Sequence, residues 1–241
     1  MTAGSLISGA LNFRDVGGLP AGDAVTRSGV LYRSGNLAQV DDAGAETLRA
    51  LGLRRIVDLR DDHEVRYAPS RVEGLGVETQ RVPLYVGSIE SFFERDASLT
   101  AFYREIVEDS AAQVAAVVRG ILVDQPVLVH CTAGKDRTGL TVALALAAAG
   151  VDLDAVVDDY ARTEALLPAA RNRLVVSRLR ALHPDSRHVE EVATRSPAPV
   201  MRALLAHVAD THGGAADYLR AHGLGDDELA ELRRVLVTTR D

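Results

Sequence analysis

Cys131 is the only cysteine among the 241 residues, and the only lysine, Lys135, follows it by four positions. Around them the chain reads His130, Cys131, Thr132, Ala133, Gly134, Lys135, Asp136, Arg137, Thr138, Gly139, with the apolar run 127–129 before and 140–149 after. A buried strand that turns tightly into a helix makes an anion site: the loop N–H groups converge, and the helix N-terminus presents about half a positive charge. Gly134 lets the backbone come close to the anion. The same field favours a thiolate, so Cys131 reads as a nucleophile at neutral pH. Thr132, Ala133, Gly134, Lys135, Thr138 and Gly139 then form the cradle of a phosphate-binding site.

Arg137 lies six positions beyond the cysteine, close enough for the turning loop to bring its planar fork back over the bowl. There it would hold two oxygens of a phosphoryl group at once. Thr138, at the helix start, is placed to donate its hydroxyl to the cysteine sulfur. His130, at the strand end, orients the loop through hydrogen bonds. Asp136 would repel an anion beside it unless it carries a proton, and a protonated carboxyl there is a general acid for the leaving oxygen. A solitary cysteine is by type a small buried hydrophobe; the spacing Cys-x5-Arg-Thr-Gly between strand and helix overrides that reading. The reaction expected is transfer of a phosphoryl group to Cys131, followed by hydrolysis.

Rival chemistries fit poorly. A nucleotide-binding loop needs Gly-x4-Gly-Lys-Ser/Thr, but Gly134 and Lys135 are followed by Asp136 and no glycine lies five before Gly134. The seven histidines form no His-Glu-x-x-His pattern, so no metal and no cofactor is expected. Thiol-relay chemistry needs a second cysteine, which also means that an oxidised Cys131 has no intramolecular partner. A phosphate-binding adaptor that no longer turns over, and a sulfurtransferase of the Cys-x5-Arg type, remain as alternatives. The first is disfavoured by the intact Cys131, Asp136 and Arg137, the second by Thr138-Gly139.

The elements that must position this loop follow from periodicity. Strand-like runs cover 30–33, 55–59, 77–84 and 126–130, alternating with helical patterns at 42–51 and 99–123, the latter breaking near Asp109 and Ser110. This alternation predicts an α/β fold with a central, mostly parallel sheet flanked by helices. Beyond residue 138 no strand is expected, and an all-helical C-terminal portion runs through 138–149, 152–162, 167–182, 197–211, 214–222 and 226–237. Between 162 and 180, Arg162, Arg171, Arg173, Arg178 and Arg180 face only Glu164. With Leu167, Leu174 and Leu182 this reads as a solvated basic helix face, or as a helical lid over 162–196 that attracts an anionic substrate. The rest of the chain, 1–241, reads as a single domain.

Composition excludes further classes. A net charge of −7 argues against a nucleic-acid binder, leaving any anion site local. The longest apolar run is about half of the ~20 residues a membrane span needs, so stable insertion is not expected. With no basic, apolar leader at the N-terminus, cytoplasmic placement is the default expectation, and leaderless secretion stays open.

The sequence resembles the bacterial tyrosine phosphatases that include a mycobacterial secreted phosphatase and a listerial lipid phosphatase. The likeness covers nearly the whole chain: Asn12 to Asp15, Leu31 to Ser34, Asp58 to Arg60, the loop 130–139, Asp159-Tyr160 and Tyr218-Leu219. It implies a protein-tyrosine-phosphatase-like fold, a phosphocysteine intermediate, no metal, and activity on a phosphorylated protein extending to phosphoserine, phosphothreonine and phosphoinositide substrates. Lys135-Asp136 also resembles loops of phosphoinositide phosphatases, where a bowl lysine would serve a ligand with several phosphates. Relatives carry an aspartate after the strand ending near Pro83, whereas 83–88 here has no carboxylate. Asp136 is therefore the leading acid, with Asp58, Asp61 and Asp62 as alternatives. Arg14, Asp15, Arg33, Asp58 and Arg60 are read as ion pairs bracing the sheet edge or as substrate contacts.

Overall fold

The computed structural model describes residues 6–84 and 95–240. In chain order the strands are β1 (Arg14–Asp15), β2 (Pro20–Ala21), β3 (Ala24–Thr26), β4 (Leu31–Ser34), β5 (Arg55–Asp58), β6 (Glu78–Arg81), β7 (Val127–His130) and β8 (Val237–Thr239). Helices α1 (Asp42–Ala50), α2 (Asp62–Tyr67), α3 (Leu99–Asp109) and α4 (Ala111–Val123) precede β7. After it come α5 (Asp136–Ala148), α6 (Leu153–Ala161), α7 (Thr163–Leu166), α8 (Ala169–Leu182), α9 (Val189–Thr194), α10 (Ala198–His212), α11 (Ala215–Ala221) and α12 (Asp226–Leu236).

The main sheet has the order β1-β4-β7-β5-β6, parallel except for the β1 edge. The three central strands are buried on both faces: Val127, Val129 and Val57 join the larger core, while Leu128 and Ile56 join the smaller one with Phe13, Tyr32 and Leu48. This is why they read as continuous apolar runs. Ser34, His130 and Asp58 are in register across the three central strands. Three connections therefore leave the sheet along one rim, the carboxyl end where ligands of parallel sheets bind.

The break expected near Asp109 falls at Ser110, which ends α3 and begins α4. The C-terminal part is helical from Asp136 to Leu236, but it is not wholly so. Val237–Thr239 forms β8 and pairs antiparallel with β3, closing a second sheet with β2. Three β-branched residues favour a strand, yet are too few to show alternation, and their partner lies at the other end of the chain. The expected strand 77–84 is only Glu78–Arg81, and the unexpected α2 is nucleated by a capping box between Asp61 and Glu64.

Behind the rim lies a buried ion cluster. Asp159 on α6 takes Arg14 Nε and Arg33 Nη1, each at 2.7 Å, with all three side chains nearly inaccessible. Burial would raise the Asp159 carboxyl, but the two arginines outweigh it and hold it below the usual range. Removing one partner of such a cluster strands a buried charge. Asp159→Ala is expected to lower the unfolding free energy by about 3–5 kcal/mol in a urea melt. Asp154→Ala, at the exposed pair with Arg202, is expected to cost less than about 1 kcal/mol. Equal costs would contradict the cluster's structural weight.

Candidate active site

At the end of β7, Cys131 is 3% exposed at the floor of a cavity of about 260 Å³. Four carbonyls of the loop are held from behind. That of Thr132 accepts from Asn36 N–H at 3.0 Å and Asn36 Nδ2 at 3.2 Å. That of Gly134 accepts from Asn12 Nδ2 at 2.8 Å and Arg33 Nη2 at 3.1 Å, and that of Ala133 from Asn12 Nδ2 at 3.5 Å. His130 Nδ1 stands 3.3 Å from the Cys131 carbonyl oxygen. In a trans peptide the C=O and the next N–H point in opposite directions. The N–H groups of residues 132–135 are thereby turned toward the cavity that Thr132, Ala133 and Lys135 line.

Gly134 is required twice over. Its φ is +68°, and a Cβ there would lie 2.4 Å from the Ser34 carbonyl. Asn12, also in the left-handed region at φ 55°, is wholly buried while reaching the loop. Gly139 packs against Tyr160 and Arg33, leaving little room for a side chain. His130 is buried; burial pushes its imidazole down, so it is neutral, and Nε2 is 3.6 Å from Asp58 Oδ2, beyond hydrogen-bond reach.

Arg137 is pinned by a residue that sequence reasoning missed. Glu64, on α2, takes Nη1 on Oε2 and Nη2 on Oε1, both at 2.6 Å. It also accepts the Thr132 hydroxyl and, at 3.0 Å, the Asp61 N–H. Burial would raise the Glu64 carboxyl, but the arginine's hydrogen bonds and charge, with Thr132, hold it at about 2. Burial would lower Arg137, but Glu64 and the Cys131 sulfur raise it above its ordinary value. The capping-box spacing Asp61-x-x-Glu64 was the available signal; it predicts a helix start, not a partner 73 residues away.

Asp136 lines the cavity and accepts two donors on Oδ1, Tyr103 Oη at 2.9 Å and Lys135 Nζ at 2.5 Å. Lys135 is buried, and its ammonium also donates to the Arg195 carbonyl at 2.9 Å. The cation expected to greet a second phosphate is thus occupied by Asp136 and the backbone. Thr138 is buried, and its hydroxyl has no hydrogen-bond partner among the described residues, so the expected bond to the sulfur is not made. The alternative acids are spent elsewhere: Asp58 on Arg60, Asp61 on the α2 cap, Asp62 on Arg81. Arg60 also binds the Ala68 carbonyl and Ser70. Asp15 accepts from Gly17 and Gly29 N–H groups. The acid-free stretch 83–88 lies outside the described residues from 85 onward.

Helices α8 and α9 wall the cavity with Arg171, Val175, Leu179, Val192 and Ala193, and Phe102 stands opposite. The apolar phase of α8 differs from the expected one: Leu174 and Leu182 are 61% and 69% exposed. Val175 and Leu179 turn inward, one position out of phase with Leu174. Arg173, Arg178 and Arg180 face solvent. Of the α8 arginines only Arg171 lines the site, where burial lowers its guanidinium and Asp136 and Cys131 act against that fall.

The family model described as "Tyrosine phosphatase family" matches residues 6–238. The chain belongs to the tyrosine phosphatase family. Among its relatives, the triple specificity protein phosphatase PtpB of Mycobacterium tuberculosis is 33% identical, over 96% of this chain and 98% of that protein. A putative tyrosine-protein phosphatase of Cupriavidus necator is 35% identical over 62% of this chain and 59% of its own. Among solved structures, the core catalytic domain of the PP-IP phosphatase SIW14 of S. cerevisiae covers 78% of this chain and 93% of that one, with 18% identity and a TM-score of 0.40. Among the described residues of this tyrosine phosphatase, no helix is long and apolar enough to cross a membrane.

Glu64→Gln tests the pin on Arg137. Losing a charge-assisted pair is expected to lower kcat/KM for p-nitrophenyl phosphate about 10- to 100-fold, whereas unchanged turnover would mean that Glu64 only neutralises charge. Because the Glu64 carboxyl is depressed in the folded state, its stabilisation is full above about pH 4.3, its unfolded value. The wild type's advantage over Glu64→Gln in denaturant melts is therefore expected to shrink as pH falls from there toward about 2.

Proposed function

We propose that this tyrosine phosphatase hydrolyses phosphomonoesters through a phosphocysteine. The thiolate of Cys131 attacks phosphorus as the ester oxygen leaves, and that oxygen takes its proton from Asp136. Water then attacks phosphorus and gives a proton to Asp136, the S–P bond breaks, and orthophosphate departs from a restored thiolate. Arg137 and the inward N–H groups of 132–135 hold the equatorial oxygens, whose charge grows in the transition state. The observation carrying this reading is the loop itself, with its carbonyls tied back, its amides thereby turned toward the cavity, and its arginine pinned by Glu64.

Phosphotyrosine is the leading substrate, because Phe102, Val175, Leu179 and Val192 give the cavity apolar walls suited to an aryl ring. The resemblance to the bacterial tyrosine phosphatases extends the candidates to phosphoserine and phosphothreonine, in keeping with a mycobacterial relative named a triple specificity protein phosphatase. The resemblance to phosphoinositide phosphatases adds phosphoinositides. Residues 162–196 serve as a helical lid within one phosphatase domain, with Arg171 as the inward cation. The outward Arg173, Arg178 and Arg180 are its solvated face.

Two experiments test this. Cys131→Ser is expected to abolish turnover of p-nitrophenyl phosphate, and normal turnover would end the reading. Asp136→Asn is expected to lose more activity on an alkyl phosphate than on that good aryl leaving group, by about 10-fold or more. For the lid, Arg171→Ala is expected to raise KM for phosphotyrosine peptide about 5- to 20-fold with little change in kcat, and Arg178→Ala to leave both unchanged. Equal effects would return α8 to a plain solvated helix.

A further inference from the structure

Asp136 does not stand alone at the cavity wall. Tyr103, on α3, is fully buried and donates its hydroxyl to Asp136 Oδ1 at 2.9 Å. Tyr160, on α6, is equally buried, and its hydroxyl lies 2.9 Å from that of Tyr103. The two rings meet edge to face, with centroids 6.0 Å apart. Since the proton of Tyr103 is committed to Asp136, Tyr160 must be the donor to Tyr103. Burial first, then the charge of Asp136, raises both phenols, so each keeps its proton and acts as a fixed donor.

Lys135 Nζ reaches the same carboxylate oxygen. An oxygen that accepts from both a phenol and an ammonium has its lone pairs engaged, and a protonated carboxyl has only one O–H to offer. No donor among the described residues reaches Oδ2. We propose that Tyr103 is a positioning residue: by fastening Oδ1 to the fold, together with Lys135, it makes Oδ2 the atom that gives its proton to the leaving oxygen and later takes one from water. Tyr160 sets the direction in which Tyr103 donates. Once the proton has left, the same two donors stabilise the carboxylate that remains. This rests on the reading of Asp136 as the acid, and it assigns the role to a specific oxygen and a specific buried residue.

Tyr103→Phe keeps the ring and removes only the donor. In the full chain, its kcat/KM is expected to fall about 10-fold for an alkyl phosphate and to stay within about threefold for p-nitrophenyl phosphate. The inhibition constant of vanadate is expected to be unchanged, which reports an intact bowl. Tyr160→Phe is expected to act in the same direction and more weakly, and it serves as the second variant if Tyr103→Phe does not fold. Asp136→Asn measured in parallel separates the two failures. If Asp136→Asn is selective for alkyl phosphates and neither tyrosine variant is, the positioning role is overturned and the acid stands. If Asp136→Asn loses equally on both substrates, acid and positioning role fall together. Equal losses on both substrates for the tyrosine variants, or a weakened vanadate, would mean that the tyrosines only pack.

Discussion

A phosphate site built from a peptide loop depends on which way its peptide planes face. Turned one way they offer amide protons to an anion; turned the other they offer carbonyl oxygens, which repel it. In this protein the choice is made by donors outside the loop. Asn36 holds the Thr132 carbonyl, Asn12 that of Ala133, and Asn12 with Arg33 that of Gly134. Gly134 supplies the positive φ and the missing Cβ that the turn needs. Arg33 can serve only because Asp159 fixes its other nitrogen, and Arg14 completes that cluster. Residues from the first strands and the sixth helix thus determine the chemistry of a loop between them in space.

The electrostatics are correspondingly local. The chain carries a formal charge of −7, yet the cavity at Cys131 gathers a helix N-terminus, Arg137 and Arg171 beside Glu64 and Asp136. Glu64 neutralises Arg137 and fixes its fork at the same time. His130, neutral at the strand end, adds no competing charge. The two lysine-to-backbone and lysine-to-carboxylate bonds of Lys135 draw together the loop, the helix it begins, and the segment after α9.

What the sequence displayed most openly was local. Strand, loop and helix around Cys131 are contiguous, so their spacing alone reveals the bowl, and the apolar runs reveal the parallel strands that carry it. The supports were hidden because they are distant in the chain. Glu64 lies far from Arg137 in sequence and looks like half of a helix cap, which it also is. Tyr103 and Tyr160 sit at helical positions that read as ordinary core, and their hydroxyls meet only after three helices have packed. The phase of α8 differs from the expected one because Leu174 and Leu182 point out while Val175 and Leu179 point in, so the burial follows neighbours that no short window displays. β8 was missed for the same reason: its partner is residue 24 to residue 26.

Everything turns on Cys131 accepting the phosphoryl group. Rapid acid quench of the wild-type protein during turnover of a phosphotyrosine peptide, followed by peptide mass analysis, reads this directly. The expected result is one added phosphoryl group on the peptide that contains Cys131, gained and lost at rates that support turnover. Release of phosphate with no such adduct, or an adduct on another residue, would contradict it.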